Sequence, residues 1–165
     1  MLLEQIYYVG QTVAVVAILF SLIFLNIQIR QNSQNIRADV TFRHQQSMKD
    51  LLQSVIDDPE MASIFRRVMY TNDRLDDIES LRFLSWMESV LMGMEAAYFL
   101  ERDEMMSEGL KGRWEVTILW YFRRNLVRAY WINDARPRFA PAFVEYLETT
   151  LGRHGVEFDR PAGEE

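Results

Sequence analysis

Between Glu4 and Arg30 the chain carries no formal charge, and the stretch reads QIYYVGQTVAVVAILFSLIFLNIQI from Gln5 to Ile29. At about 1.5 Å per residue this stretch spans roughly 37 Å as a helix, enough to cross a hydrocarbon core about 30 Å thick. No other feature constrains the fold as strongly. Few water-soluble architectures leave room for a long helix that is apolar on every face.

Three readings compete for it. A cleaved signal peptide has a basic n-region and a small-x-small cleavage site. Here the n-region holds Glu4 and no Lys or Arg, and Phe24 is followed by Leu-Asn-Ile-Gln-Ile-Arg. A buried core helix is the second reading, since the strictly apolar run Val13–Leu25 is shorter than the about 20 residues a span prefers. A helix at a domain surface, however, shows an apolar stripe. Val13–Leu25 is apolar all round apart from Ser21. Tyr7 and Tyr8 stand where an interfacial aromatic belt would fall. The residues therefore favour a membrane anchor over residues 1–30. Arg30, Arg37, Arg43 and Lys49 follow it, against Glu4 and the terminal amine before it. Positive flanks stay cytoplasmic, so the N-terminus is expected outside and the rest of the chain inside.

One stripe of the anchor is built of small residues. Gly10, Ala14, Ala17 and Ser21 recur at spacings of four, three and four, which puts them on one helical face where a second helix can approach closely. The stripe runs on through Phe24, Gln28, Gln31, Asn35 and Ala38. Amides at Gln28, Gln31 and Asn35 can hydrogen-bond across a helix pair as it leaves the bilayer. Small residues are also common in membrane helices that pair with nothing.

Residues 31–56 keep helical periodicity without Pro or Gly and read as a stalk helix, polar to about Gln46. Asp57-Asp58-Pro59-Glu60 stops it and starts the next helix, because proline suits the first helical position and an aspartate before it caps free N–H groups. A short helix is expected over Pro59 to about Tyr70, ending at Thr71-Asn72-Asp73. Ile78 to Met106 follows, broken at Gly109, then a fourth segment from Lys111 to about Trp131. Asp134 to Pro141 reads as a loop. A last helix covers Ala142 to about Arg153, ended by Gly152 or Gly155. Residues 57–157 are thus expected to form a helical bundle and residues 158–165 a frayed tail. The chain shows no alternating strand pattern, no repeat and no low-complexity tract. The expected fold is all-α: one N-terminal transmembrane helix continuing into a stalk helix and a helical bundle.

Several strings, Gln28-Ile29-Arg30-Gln31-Asn32, Ile36-Arg37-Ala38, Asp57-Asp58-Pro59-Glu60, Met94-Glu95-Ala96-Ala97-Tyr98 and Phe139-Ala140-Pro141-Ala142-Phe143, together resemble a family of small uncharacterised bacterial proteins. These have one N-terminal membrane helix and a helical domain behind it. The resemblance implies that architecture and a bacterial inner-membrane setting, and it implies no biochemical role.

The chain of 165 residues is long enough for one domain with its own core. Its net charge of −6 argues against binding the phosphates of nucleic acid. With no cysteine it has no disulfide, thiolate metal site or cysteine nucleophile. Carboxylate-bridged metal bundles need Glu-x-x-His, and neither His44 nor His154 has a Glu three residues before it. No glycine-rich phosphate loop, dinucleotide fingerprint or nucleophile elbow is present. No cofactor and no catalysis are expected.

Two features remain. With Leu91 as reference, Leu84, Met87, Met94 and Tyr98 share a helical face; Glu95 falls inside that arc and Glu88 at its edge. A carboxylate on an apolar face needs a partner or keeps its proton. The structural reading is an ion pair with Arg123, Arg124 or Arg128 on the next long helix. The functional reading is a pocket between helices lined by Glu95, Tyr98 and an arginine. The second feature is Trp114–Arg124, which mixes aromatics with arginine and reads first as a core helix with amphipathic edges. The alternative is a helix lying on the bilayer surface. Met87, Met92, Met94, Met105 and Met106 would suit an adaptable contact, or serve as core filler. The expected function is an accessory or scaffolding subunit in contact with the lipid bilayer. It would associate with a membrane-protein partner or with itself through the helix seam and bundle surface. The alternative is a membrane-tethered ligand sensor.

Overall fold

The computed structural model describes residues 2–71, 73–106, 112–156 and 158; the side chains of residues 2–7, 9, 12 and 113 lie outside the description. The fold is all-α, and no strand occurs among the described residues. Six α-helices follow in order among these residues: α1 Leu2–Asp57, α2 Pro59–Arg66, α3 Asp77–Arg102, α4 Arg113–Phe122, α5 Asn125–Tyr130 and α6 Pro141–Arg153. The chain forms two compact units, Met1–Asp39 and Val40–Glu165, whose division falls within α1.

In the first unit every described side chain is exposed, Val13 through Asp39 without interruption. The helix is long and apolar enough to cross a membrane. Its most apolar window has a mean hydropathy of 2.2, and none of that window is buried. Tyr8 is exposed, while the Tyr7 side chain lies outside the described residues.

The second unit is a bundle around one core. Phe83, Met87 and Leu91 from α3, Ile118 and Phe122 from α4, Val127 from α5 and Phe143, Leu147 and Leu151 from α6 are all inaccessible to solvent. Trp131 joins them, edge-on to Phe122 with ring centroids 5.9 Å apart. The bundle also begins earlier in the chain than residue 57. Thr41 and Val55 are buried, and the Trp86 indole N–H donates to the Leu51 carbonyl oxygen at 3.0 Å. Gly93 lies where α3 meets α1: a Cβ there would sit 2.1 Å from Met48 Cε. The expected stalk, residues 31–56, is therefore shared between the two units, because its second half has an apolar edge to bury.

Local chemistry explains the helix ends. Asp58 Oδ1 accepts from the N–H groups of Glu60 (2.9 Å) and Met61 (3.2 Å) and caps α2, with Pro59 at its first position. Asp76 and Glu79 form a reciprocal capping box at the start of α3, with bonds of 2.8 and 3.0 Å. Arg82 ties the two starts together by pairing with Asp58 and, at 2.6 Å, with Glu60. Arg67 pairs with Glu79. At the other end of the bundle, Gly155 takes a left-handed conformation (φ 72°) after α6. Its N–H reaches Gly152 O at 3.1 Å and the Val156 N–H reaches Leu151 O at 3.0 Å, a closure only a residue free of Cβ strain adopts readily.

The expected fourth segment, Lys111 to Trp131, is not one helix. Arg124 is extended (φ −93°, ψ 129°), so α4 stops at Phe122 and α5 starts at Asn125. The turn lets Phe122 and Val127 both reach the core. Arg128 Nη1 donates to the Phe122 carbonyl at 2.9 Å, satisfying a group the break frees. The expected loop Asp134–Pro141 is also largely wound: a π-turn covers Trp131–Ala135 and a 3₁₀ turn Arg136–Arg138. The expected break at Gly109, the start at Lys111 and the tail Arg160–Glu165 lie outside the described residues.

Candidate helix-association site and buried polar contacts

The seam residues Gly10, Ala14, Ala17, Ser21, Gln28, Gln31 and Asn35 are all exposed. Nothing lies within 4 Å of a Cβ built on Gly10. The Ser21 hydroxyl folds back to the Ala17 carbonyl at 2.9 Å, the back-bond a serine within a helix can make to the residue four before it. The amides of Gln28, Gln31 and Asn35 make no side-chain hydrogen bond among the described residues. Because no other element of the first unit covers this face, it is open to lipid, water or another helix.

The buried polar candidates find different partners from those expected. Glu95 is half-buried, and its Oε1 accepts the Ala140 N–H at 2.8 Å; it forms no ion pair with Arg123, Arg124 or Arg128 among the described residues. Ala140 stands immediately before Pro141, the first residue of α6. The carboxylate thus pins the entry of α6 onto α3. The expected arginines do other work. Arg123 is exposed. Arg124 is half-buried and its Nε has no hydrogen-bond partner among the described residues. Arg128 serves the Phe122 carbonyl and Asn125.

Glu88 does form an ion pair, but with Arg138, at 2.6 Å. The Tyr130 hydroxyl donates to Glu88 Oε2 at 3.1 Å and accepts from Arg138 Nη2 at 2.8 Å, closing a three-membered network. Burial, and then the bond to Glu88, raise the Tyr130 phenol above its ordinary pKa. Sequence reasoning missed Arg138 because it lies in a stretch rich in Pro and Arg that reads as solvent-exposed loop.

Open clefts among the described residues of the bundle include the following two. The larger, about 460 Å³, is bordered by Arg136, Phe139, Val144 and Glu148, and Arg136 is tied across it to Glu148 at 2.7 Å. The smaller, about 240 Å³, is bordered by Tyr98, Tyr146 and Arg153. Tyr98 and an arginine therefore do share a cleft, but Glu95 lines neither. Tyr98 stacks on Tyr146 (4.9 Å between centroids) and Tyr146 on Trp114 (4.9 Å), so the rings chiefly satisfy one another. The Tyr146 hydroxyl donates to Glu115 at 2.6 Å; burial foremost, then this bond, raises its pKa.

Helix α4 behaves as a core element. Ile118, Tyr121 and Phe122 are buried, Val116 and Thr117 point outward, and the Trp114 N–H is held by Glu101 at 2.9 Å. Among the methionines, Met87, Met94 and Met106 are buried, Met105 is half-buried and Met92 is exposed. Among the described residues no group of three or more His, Asp or Glu side chains is placed to hold a metal ion.

Fold and exposed helix together define an all-α protein with, among the described residues, one helix long and apolar enough to span a membrane. No protein family, curated protein or solved structure matches the chain.

Proposed function

We propose that this protein is a single-pass, non-catalytic membrane protein that serves as an accessory or scaffolding subunit. One observation carries the reading: no residue in the most apolar window of α1 is buried within the chain. Apolar surface on that scale is costly in water and calls for lipid or another helix. The resemblance to small bacterial membrane proteins gives the setting, a bacterial inner membrane, and the positive flank that follows the anchor gives its orientation, with the N-terminus outside and the bundle in the cytoplasm. Association runs through the α1 seam and the bundle surface. Nucleic acid is not a partner on this reading, given the acidic net charge.

Membrane fractionation followed by mild-detergent purification and identification of co-purifying proteins tests this. The protein is expected in the carbonate-resistant pellet, at its full uncleaved mass, and as an assembly larger than one chain. A detergent-free, water-soluble monomer would overturn the reading. A second reading, a membrane-tethered ligand sensor, draws only on the cleft beside Tyr98, Tyr146 and Arg153. Ligand-dependent quenching of tryptophan fluorescence, lost on Arg153→Ala, would favour it.

A further inference from the structure

Counted along α1, the alternation of fours and threes that begins at Gly10 does not stop at Ala38. It passes through Phe42, Gln45, Lys49, Leu52 and Ile56 without a skipped step. These positions form one stripe of two interleaved sets at seven-residue spacing, apolar or small towards both ends, mostly amides between Gln28 and Gln45, and uncharged except at Lys49. One set of positions is Ala14, Ser21, Gln28, Asn35, Phe42, Lys49 and Ile56; the other is Gly10, Ala17, Phe24, Gln31, Ala38, Gln45 and Leu52. Every one of these side chains is exposed in its own unit. Four large apolar residues between Arg30 and Asp57 stand open to solvent, and the three most exposed, Phe42, Leu52 and Ile56, fall on the repeat; Ile36 does not. The bundle takes the neighbouring positions Thr41, Met48 and Val55 and leaves Phe42, Lys49 and Ile56 beside them uncovered.

From this we infer that α1 pairs along the repeat with a second copy of the same chain, as a parallel, in-register, left-handed two-helix coil. The inference rests on the membrane-anchored reading above. A stripe at seven-residue spacing is the one a left-handed coil keeps turned to its partner, here with small or large apolar residues towards both ends and amides between them. All copies of an anchored chain enter the bilayer in one direction, so two of them meet in parallel. In register, each amide of Gln28, Gln31, Asn35 and Gln45 faces its own twin. Because an amide both donates and accepts, identical amides satisfy each other, and an asparagine at such a core position specifies register and oligomer state.

Charge agrees with this placement. Among Arg30, Arg37, Asp39, Arg43, Lys49, Asp50 and Asp57 only Lys49 lies on the seam, and a lysine's long stem can cover apolar surface while its head stays wet. The area suffices as well. Phe24, Phe42, Leu52 and Ile56 are 62%, 64%, 51% and 70% exposed, which leaves roughly 100 Å² open on each. Fully covered in both copies, these four alone supply about 800 Å², close to the about 1,000 Å² of a stable interface before the smaller and polar seam residues are added.

The chain has no cysteine, so single-cysteine crosslinking has no background. Full-length Ala38→Cys and Gln45→Cys, each on the seam, are compared with Ser33→Cys and Ser47→Cys on the opposite side, in isolated membranes under a mild oxidant. The expected result is a doubling of apparent mass at Ala38→Cys and Gln45→Cys, with the monomer dominant at Ser33→Cys and Ser47→Cys. Exchange between two differently tagged copies identifies the product as a dimer of this chain. Equal crosslinking at all four positions, monomer at both seam positions, or an adduct of another mass would overturn the pairing. Carbonate extraction of the same membranes reads the anchor independently. Pelleted monomer overturns the pairing and leaves the anchor standing, whereas release into the supernatant overturns both.

Discussion

The Trp86 indole N–H donates to the Leu51 carbonyl oxygen at 3.0 Å, so an aromatic side chain of α3 is bonded to the main chain of α1. Trp86 also packs edge-on against Phe65 (5.4 Å) and against Tyr121 (6.0 Å), which makes it the point where three elements of the bundle meet α1. The second half of α1 is held by this contact and by the Met48–Gly93 approach.

Replacement at Trp86 separates the bond from the packing. Trp86→Phe removes the N–H and part of the ring and should cost about 1–2 kcal/mol, since the Leu51 carbonyl keeps the Ser54 hydroxyl at 2.7 Å as a donor. Trp86→Ala adds a cavity and should cost about 3–5 kcal/mol. Denaturant unfolding of the detergent-solubilised protein measures both. Equal losses in the two variants would mean that the hydrogen bond, and not the ring, holds α1.

Glu95 acts as a hydrogen-bond acceptor. Glu95→Gln keeps an oxygen for the Ala140 N–H and should change stability by less than about 1 kcal/mol, while Glu95→Leu strands that donor and should cost about 1–3 kcal/mol. Arg123→Ala should be close to neutral, as an exposed side chain with no role in this contact. Thermal unfolding of the three variants checks the order. A large loss in Glu95→Gln would point to a charge partner instead.

Acid should loosen the start of the bundle. The Asp58 carboxyl is held below its ordinary pKa first by the Met61 N–H and then by the Glu60 N–H and Arg82, outweighing burial. Glu79 is lowered first by the Asp76 N–H and then by Arg67. Both bind protons more weakly folded than unfolded, so their stabilisation is complete above the unfolded values, about 4, and is lost as pH falls through the lower folded values. Melting temperature measured from neutral pH downward should fall in that window. Asp58→Asn together with Glu79→Gln should flatten the decline.

Alkali should act through Tyr121. Its phenol is pushed up to about 12, first by burial and then by Tyr70. Being raised in the folded state, it contributes stability that is full below the unfolded value of about 10 and is lost as pH rises through the folded one. Ultraviolet titration of tyrosinate should show exposed tyrosines ionising first and Tyr121 only together with loss of tertiary circular dichroism. Tyr121→Phe should move the alkaline unfolding midpoint upward.

Much of this architecture is readable from residues close together in the chain. The long apolar helix is legible because thirteen apolar and near-apolar neighbours, Val13 through Leu25, set its character without any distant contact. Asp58-Pro59 and Gly155 mark helix ends for equally local reasons: a carboxylate within reach of free N–H groups, and a backbone free to turn left-handed. The break at Arg123-Arg124 has no such mark, since neither residue is Gly or Pro; only the simultaneous burial of Phe122 and Val127 demands it.

The same division holds for the polar residues. That Glu95 and Glu88 need partners follows from their place on an apolar face of α3. Which partners they take depends on how α6 and the turn before it fold back: Glu95 meets the Ala140 N–H, and Glu88 meets Arg138 and Tyr130. Sequence alone thus determined the apolar leading helix, the helix ends with local caps and the all-α class, because propensity, capping and hydrophobicity act over a few residues. Tertiary structure alone decided that α1 enters the bundle from Val40, where the fourth segment bends and which group answers each buried carboxylate, because burial and hydrogen-bond pairing depend on which distant surfaces meet.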